Sequence, residues 1–271
     1  MAKNILILTD FSGGTWDAIG FSMKFLRNRE TTINLLQTYE MPKVRQSMIR
    51  NIVHILKKIS IDDLEELKRN ILNQFEIPKR KVKTLSIEGN LTSLLSSQLN
   101  LNNTGSVVVG LYNSINETGF LIRRKISRVI KCTSYPLFIL PDRFSDLEIR
   151  KIFFVIDPYD KPSGKVLDKL IYLESITKSG IHILFAAKDD TQDIQENIKS
   201  NIIKHLSGIK VTINCVHNAS MDINRNHLNL ESSDLVVIEK NNYQRFRKSL
   251  AKNLKLSFNN KNGVPVLLIM P

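Results

Sequence analysis

The strongest constraint on this chain is that it repeats itself once. The opening NILILTDFSGGTWDAIGFSMKFLRNRETTINLLQTYE has a counterpart at KIFFVIDPYDKPSGKVLDKLIYLESITKSGIHILFAA. Each reads as apolar strand, Asp, turn, amphipathic helix, apolar strand. Asp10 and Asp157 hold matching places just after the apolar runs Ile5–Leu8 and Ile152–Ile156, where a buried parallel strand would meet its loop. The halves also end alike: SVVVGLYNSINETGFLIRRKISRVIKCTSYPLFILP matches DLVVIEKNNYQRFRKSLAKNLKLSFNNKNGVPVLLIMP, a strand, a polar loop, a basic helix and a strand led by Pro136 or Pro265. The two Asp residues lie 147 positions apart and the two prolines 129, so the second half is 18 residues shorter in its middle. The difference falls after the second strand, where the first half carries MPKVRQSMIRNIVHILKKIS at 41–60. This segment is expected to be a helical extension of the first half alone.

Strands are expected near 4–9, 32–38, 81–87, 106–110 and 136–140, and again near 151–156, 181–187, 209–216, 234–239 and 265–270. Helices are expected near 15–28, 44–76, 90–100 and 116–132, then 163–178, 191–206, 222–229 and 243–258. Ser60-Ile61-Asp62-Asp63 offers an N-cap and marks a candidate break in helix 44–76. Strands alternating with helices imply a parallel sheet covered on both faces by right-handed crossovers. Two tandem domains follow, 1–141 and a shorter 150–271. They are joined by Pro141–Arg150, PDRFSDLEIR, polar and charged as a connection between two compact units should be.

Composition narrows the function classes. The two cysteines, Cys132 and Cys215, stand far apart, outside any zinc or disulfide spacing. The apolar run at Ile5–Leu8 is too short for a signal-peptide core, and no stretch approaches the ~20 apolar residues of a bilayer span. A cytoplasmic protein without a membrane role is expected. The net charge of +13 favours anionic partners in general. It is spread through a Lys-, Asn- and Ile-rich chain, so nucleic acid is not the expected partner. Arg123, Arg124, Lys125, Arg128 and Lys131 are read as the solvated face of a helix, with only Tyr243 and Phe246 as aromatics near the matching basic stripe of the second half.

The two copies resemble the universal stress protein family over nearly the whole chain. TDFS at Thr9–Ser12 is similar to that family's first strand end, and VVVGLYNS to its fourth strand and following loop. The resemblance implies two five-stranded parallel-sheet domains of the adenine-nucleotide-alpha-hydrolase-like kind. They would be packed as a pseudo-dimer through the final strands, Tyr135–Leu140 and Val264–Met270, with a monomer or a further homodimer of the whole chain both open.

Members of that family that bind ATP carry G-x2-G-x9-G-[ST] after the fourth strand. Glycines there let backbone N–H groups approach phosphate, and the hydroxyl adds a donor at a helix N-terminus. Laid on the first half from Gly110, the template falls on Gly110, Asn113, Arg123 and Arg124, so one glycine of three remains. In the second half it falls on Glu239, Asn242, Lys252 and Asn253, and none matches. The register is anchored by 26 residues from Gly110 to Pro136 and 26 from Glu239 to Pro265. Side chains at glycine positions occupy phosphate space, although Arg123 and Arg124 are groups that recognise phosphate.

Asp10 and Asp157 sit where open α/β sheets bind ligands, and the resemblance places the matching Asp beside an adenine. The competing assignment for each is a turn or N-cap carboxylate, towards which Asp157-Pro158 leans. Gly13-Gly14 lacks any dinucleotide or P-loop spacing and reads as a flexible turn into the helix. The five histidines show no metal-binding spacing, and G-x-S-x-G is absent.

The expected function is a non-enzymatic stress-response protein with altered nucleotide loops, no cofactor, and action through a protein partner or small ligand. The alternative is an ATP or nucleotide sensor using Thr9, Asp10, Phe11, Gly110, Asn113, Arg123 and Arg124.

Overall fold

The computed structural model of the chain describes residues 4–26, 30–40, 49–96, 104–111, 127–141, 144, 148–156, 161–187, 192–217, 234–243 and 264–270. The first half contributes β1 (Asn4–Leu8), α1 (Gly13–Phe21), β2 (Thr32–Tyr39), α2 (Ile49–Phe75), β3 (Val82–Glu88), α3 (Leu91–Ser96), β4 (Thr104–Gly110), α4 (described part 127–132) and β5 (Leu137–Leu140). The second contributes β6 (Lys151–Ile156), α5 (Gly164–Thr177), β7 (Gly180–Ala187), α6 (Gln192–His205), β8 (Val211–His217), β9 (Leu235–Glu239) and β10 (Val266–Ile269). The expected helices at 222–229 and 243–258 lie outside the described residues, apart from Tyr243.

The ten strands among the described residues form one sheet in the order β3-β2-β1-β4-β5-β10-β9-β6-β7-β8. Each half is parallel, and the halves meet where β5 and β10 pair antiparallel, Val266 opposite Ile139, Leu267 opposite Phe138 and Leu268 opposite Leu137. The expected pairing through the final strands is what joins the halves. Pro136 and Pro265 play the same part on each side, their carbonyls accepting from Val107 N–H at 2.8 Å and Val236 N–H at 3.0 Å.

Both faces of the sheet are covered, which is why its strands read as continuous apolar runs rather than alternating ones. Ile5, Ile7, Phe138, Phe154 and Leu267 lie in one core, and Leu6, Leu8, Ile139, Phe153 and Leu268 in the other. Each core runs across the β5–β10 seam into both halves. The polar, charged linker at 141–150 contributes to the interior: Phe144 and Ile149 are buried, and Phe144 packs at a tilt on Phe21 with ring centroids 5.8 Å apart. Two apolar side chains within a charged stretch find a core wide enough to take them.

The expected break at Ser60 is absent. α2 runs 27 residues without interruption, against 14 for its counterpart α6. The Ser60 hydroxyl does not cap a helix; it bonds Gln37 Oε1 at 2.5 Å and Ser86 Oγ at 2.6 Å on the sheet. A serine with partners outside its own helix has no need to compete for the backbone. α1 begins two residues earlier than expected, and from Ser22 to Leu26 the chain winds as a π-helix. There the Ser22 hydroxyl donates to Ala18 O at 2.7 Å.

A second polar link joins α2 to the edge strand. Thr84 Oγ1 donates to Glu65 Oε1 at 2.8 Å, and Lys68 lies 3.5 Å from the same carboxylate. The Thr84 hydrogen bond is the largest influence holding the Glu65 carboxyl below its ordinary range. A carboxyl with a depressed folded pKa contributes stability above its unfolded pKa and loses it as pH falls through the folded one. Thr84→Val is therefore expected to cost about 0.5 kcal/mol at neutral pH, since the carboxylate is partly solvated and screened. In urea titrations at several pH values, the difference from wild type should vanish as Glu65 becomes protonated.

Candidate functional site

The crevice of the first half lies at the carboxyl edge of the sheet between β1 and β4. The chain leaves β1 towards β2 on one side and returns to β4 on the other, and at such a switch point the two following loops part and open a crevice. Thr9, Asp10, Phe11 and Gly110 all come to this point.

The loop after β1 is tied down by its own side chains. Asp10 Oδ1 accepts from the Ser12 N–H at 3.1 Å, from the Thr15 hydroxyl at 3.2 Å and from the Ser12 hydroxyl. Thr9 Oγ1 accepts from the Phe11 N–H at 3.1 Å and lies 3.2 Å from Thr15 Oγ1. Phe11 takes a left-handed φ of 61°, a conformation that side chains other than Gly adopt only when neighbours impose it. The carboxylate of Asp10 thus serves as the hub of a turn. Ser12 and Thr15 are the polar residues that sequence reading passed over, although their hydroxyls flank the start of a helix where such groups commonly bond the turn.

Gly14 and Gly110 are the tightest feature of the site. A Cβ on Gly110 would stand 1.8 Å from the Gly14 carbonyl oxygen, and one on Gly14 would stand 2.7 Å from Gly110 O. Gly13-Gly14 is therefore not the flexible turn that the sequence implied. Both glycines lie in the first turn of α1, and Gly14 is buried there. Their missing side chains let the helix start rest on the end of β4.

Asn113, Arg123 and Arg124 lie outside the described residues, as do Asp157, Lys252 and Asn253. On the described part of α4, Arg128 and Lys131 are exposed.

The second crevice, between β6 and β9, differs in charge. Gly110 stands opposite Leu140 and Glu239 opposite Ile269, so the strands confirm that Glu239 occupies the register of Gly110. Glu239 is buried. From α5, Lys169 donates to Met270 O at 2.6 Å. Burial is the main cause pushing the Lys169 ammonium below its usual range, the charge of Lys165 adds to it, and Glu239 opposes it. Next to Glu239, Lys240 reaches back to the first half and donates to Thr133 O and, at 3.3 Å, to Lys131 O at the end of α4. Its pKa is lowered, chiefly by burial.

Solved structures share this fold over the whole chain. A universal stress protein from Archaeoglobus fulgidus DSM 4304 matches with a TM-score of 0.68 at 14% identity, over 100% of this chain and 99% of that one. The chain has the tandem universal stress protein fold. A Pseudomonas aeruginosa UCBPP-PA14 protein assigned to the universal stress proteins shares it with a TM-score of 0.57 at 11% identity, over 100% and 94% of the two chains. So does the cytoplasmic domain of a prokaryotic cation chloride cotransporter, with a TM-score of 0.56 at 12% identity, over 99% and 95%. No protein-family model and no curated protein sequence matches the chain. Among the described residues, no helix is long and apolar enough to cross a membrane.

Proposed function

We propose that this chain is a non-enzymatic, cytoplasmic stress-response protein that acts through contacts with a protein or small ligand, its two crevices no longer suited to ATP. The observation that carries this reading is the contact between Gly14 and Gly110. Gly110 is the one template glycine left in the first half, and the α1 carbonyl pressed on it accounts for its missing side chain without any ligand. In the second half, the buried Glu239 sets a like charge in the path of phosphate. The universal stress protein fold supports a part in the stress response.

Thermal-shift titration with ATP, ADP and AMP, with and without magnesium, tests the reading. No shift is expected. A ligand at a hundred times its Kd would stabilise the chain by about 2.7 kcal/mol, or roughly 5–10 °C in Tm for a chain of this size. A magnesium-dependent shift of that order, lost in Arg124→Ala, would overturn the reading and assign nucleotide sensing to the first half.

A further inference from the structure

We propose that a notch over Gly180, between Lys151, His182 and Lys210, binds a tetrahedral oxyanion, either inorganic phosphate or the phosphoryl group of a small metabolite. The notch lies at the amino ends of β6 and β7, away from the crevice at their carboxyl ends, so it goes beyond the function proposed above and does not depend on it.

Strand register builds the notch. Lys151 on β6 stands opposite Gly180 on β7, and Phe153, two residues on, stands opposite His182. On the other side of β7, Ile181 stands opposite Val211, and its N–H donates to Lys210 O at 3.1 Å. That bond holds Lys210 level with Gly180. Side chains two apart along a strand share a face, so both lysines and His182 lie on the face of Phe153. The buried Ser179 hydroxyl donates to Ile149 O at 2.7 Å and ties the start of β7 to the lead into β6.

Gly180 leaves the space between the lysines empty. A Cβ there would stand 3.9 Å from both His182 Nε2 and Lys210 O, with nothing nearer among the described residues. His182 thus turns a ring nitrogen towards the vacant position, and its ring is held by stacking on Phe153, with centroids 5.1 Å apart. Lys210 is exposed and Lys151, Gly180 and His182 are half-buried, so the notch opens to solvent.

Its charge is uncompensated. The stretches 149–156, 178–187 and 207–217 contain no Asp or Glu, and among the described residues neither lysine forms an ion pair. Burial, and then the charges of Lys151 and Lys210, hold the His182 ring below its ordinary pKa, with no carboxylate acting against them. The fold does not require this set. Through the same strand pairings, the first half has Asn4 in place of Lys151, Thr32 in place of Gly180, Asn34 in place of His182 and Lys81 in place of Lys210. There a threonine fills the glycine position and one cation of the set remains.

The donors select the ligand. Two ammonium groups and an imidazole flank the notch from separate strands, which suits an anion with acceptors on several sides. A planar carboxylate is matched better by the fork of an arginine, and none of the three groups is one. A dianion offsets both lysines and favours the imidazolium, which donates from both ring nitrogens.

The test is titration of the full chain with sulfate, a dianion throughout the range in which histidine titrates, at constant ionic strength, read from the His182 ring signals in NMR. Saturable binding is expected. It should raise the His182 pKa and tighten as pH falls through that pKa, because the anion favours the charged ring. Lys151→Ala/Lys210→Ala should weaken binding about tenfold or more. Gly180→Val, which fills the notch and leaves every charge in place, should weaken it as much, whereas the distant pair Lys57→Ala/Lys58→Ala should bind as wild type does. A response that never saturates, wild-type affinity in Lys151→Ala/Lys210→Ala, or an equal loss in Lys57→Ala/Lys58→Ala would overturn the proposal. Inorganic phosphate and glycerol 3-phosphate then tell the sources apart: tighter binding of the ester assigns a metabolite's phosphoryl group, and equal or weaker binding assigns the free ion. A nucleotide shift arising here would vanish in Lys151→Ala/Lys210→Ala and survive Arg124→Ala, the reverse of one arising in the first crevice.

Discussion

Gly110→Ala is expected to destabilise the chain by about 3 kcal/mol or more, which lowers Tm by roughly 6–12 °C for a protein of this size. The new methyl would lie 1.8 Å from the Gly14 carbonyl oxygen, and this neighbour is backbone within the first turn of a helix, not a flexible side-chain tip. Relief requires α1 to move away from β4 or β4 to bend. Both movements disturb buried neighbours, since Ile19 and Phe21 on α1 and Val107 and Val108 on β4 are fully or almost fully buried. Gly180→Ala is the control, because its Cβ would meet nothing closer than 3.9 Å. A Gly110→Ala protein that melts with wild type would show that the helix start does not rest on β4, and would remove the observation on which the proposed function stands.

Phe138→Ala is expected to cost about 3–5 kcal/mol, the usual range for deleting a buried aromatic side chain. Phe138 is fully buried on β5 and stands opposite Leu267 at the antiparallel seam. Its ring lies 5.0 Å from that of Phe21, which also touches Phe25 at 5.2 Å and Phe144 at 5.8 Å. The void would open in a core that runs through both halves, so urea unfolding should remain a single transition with a lower midpoint. Two separated transitions, with only one shifted by the substitution, would show that the halves unfold independently and that the seam couples them weakly.

Much of this architecture is legible in the residues themselves. The repeat and the strand positions follow from apolar runs of the right length, bounded by Asp at one end and Pro at the other, while the pairing of the halves was implied by the family resemblance. Those signals are local, and a doubly covered sheet leaves them strong because each buried strand must be apolar on both faces. The equal spacing from Gly110 and Glu239 to their prolines also placed both residues in the correct register, since a strand cannot slip without moving its whole apolar set.

Misreadings arose where a residue's partner is distant in sequence. Ser60 looks like an N-cap because capping is the local use of serine, yet its hydroxyl partners are 23 and 26 residues away. The linker is polar and charged by composition, and its two apolar side chains Phe144 and Ile149 are drawn into a core assembled from both halves. Gly13-Gly14 looks like a flexible turn, although one of the two glycines is required by a strand that ends almost a hundred residues later.

The two-copy parallel fold was thus legible in the order of residues along the chain, because periodicity and spacing are properties of the chain alone. The work each surviving site residue performs was decided by the folded structure. Asp10 became a turn hub and Gly110 a seat for α1, since hydrogen-bond partners and close backbone contacts exist only once distant segments share a crevice.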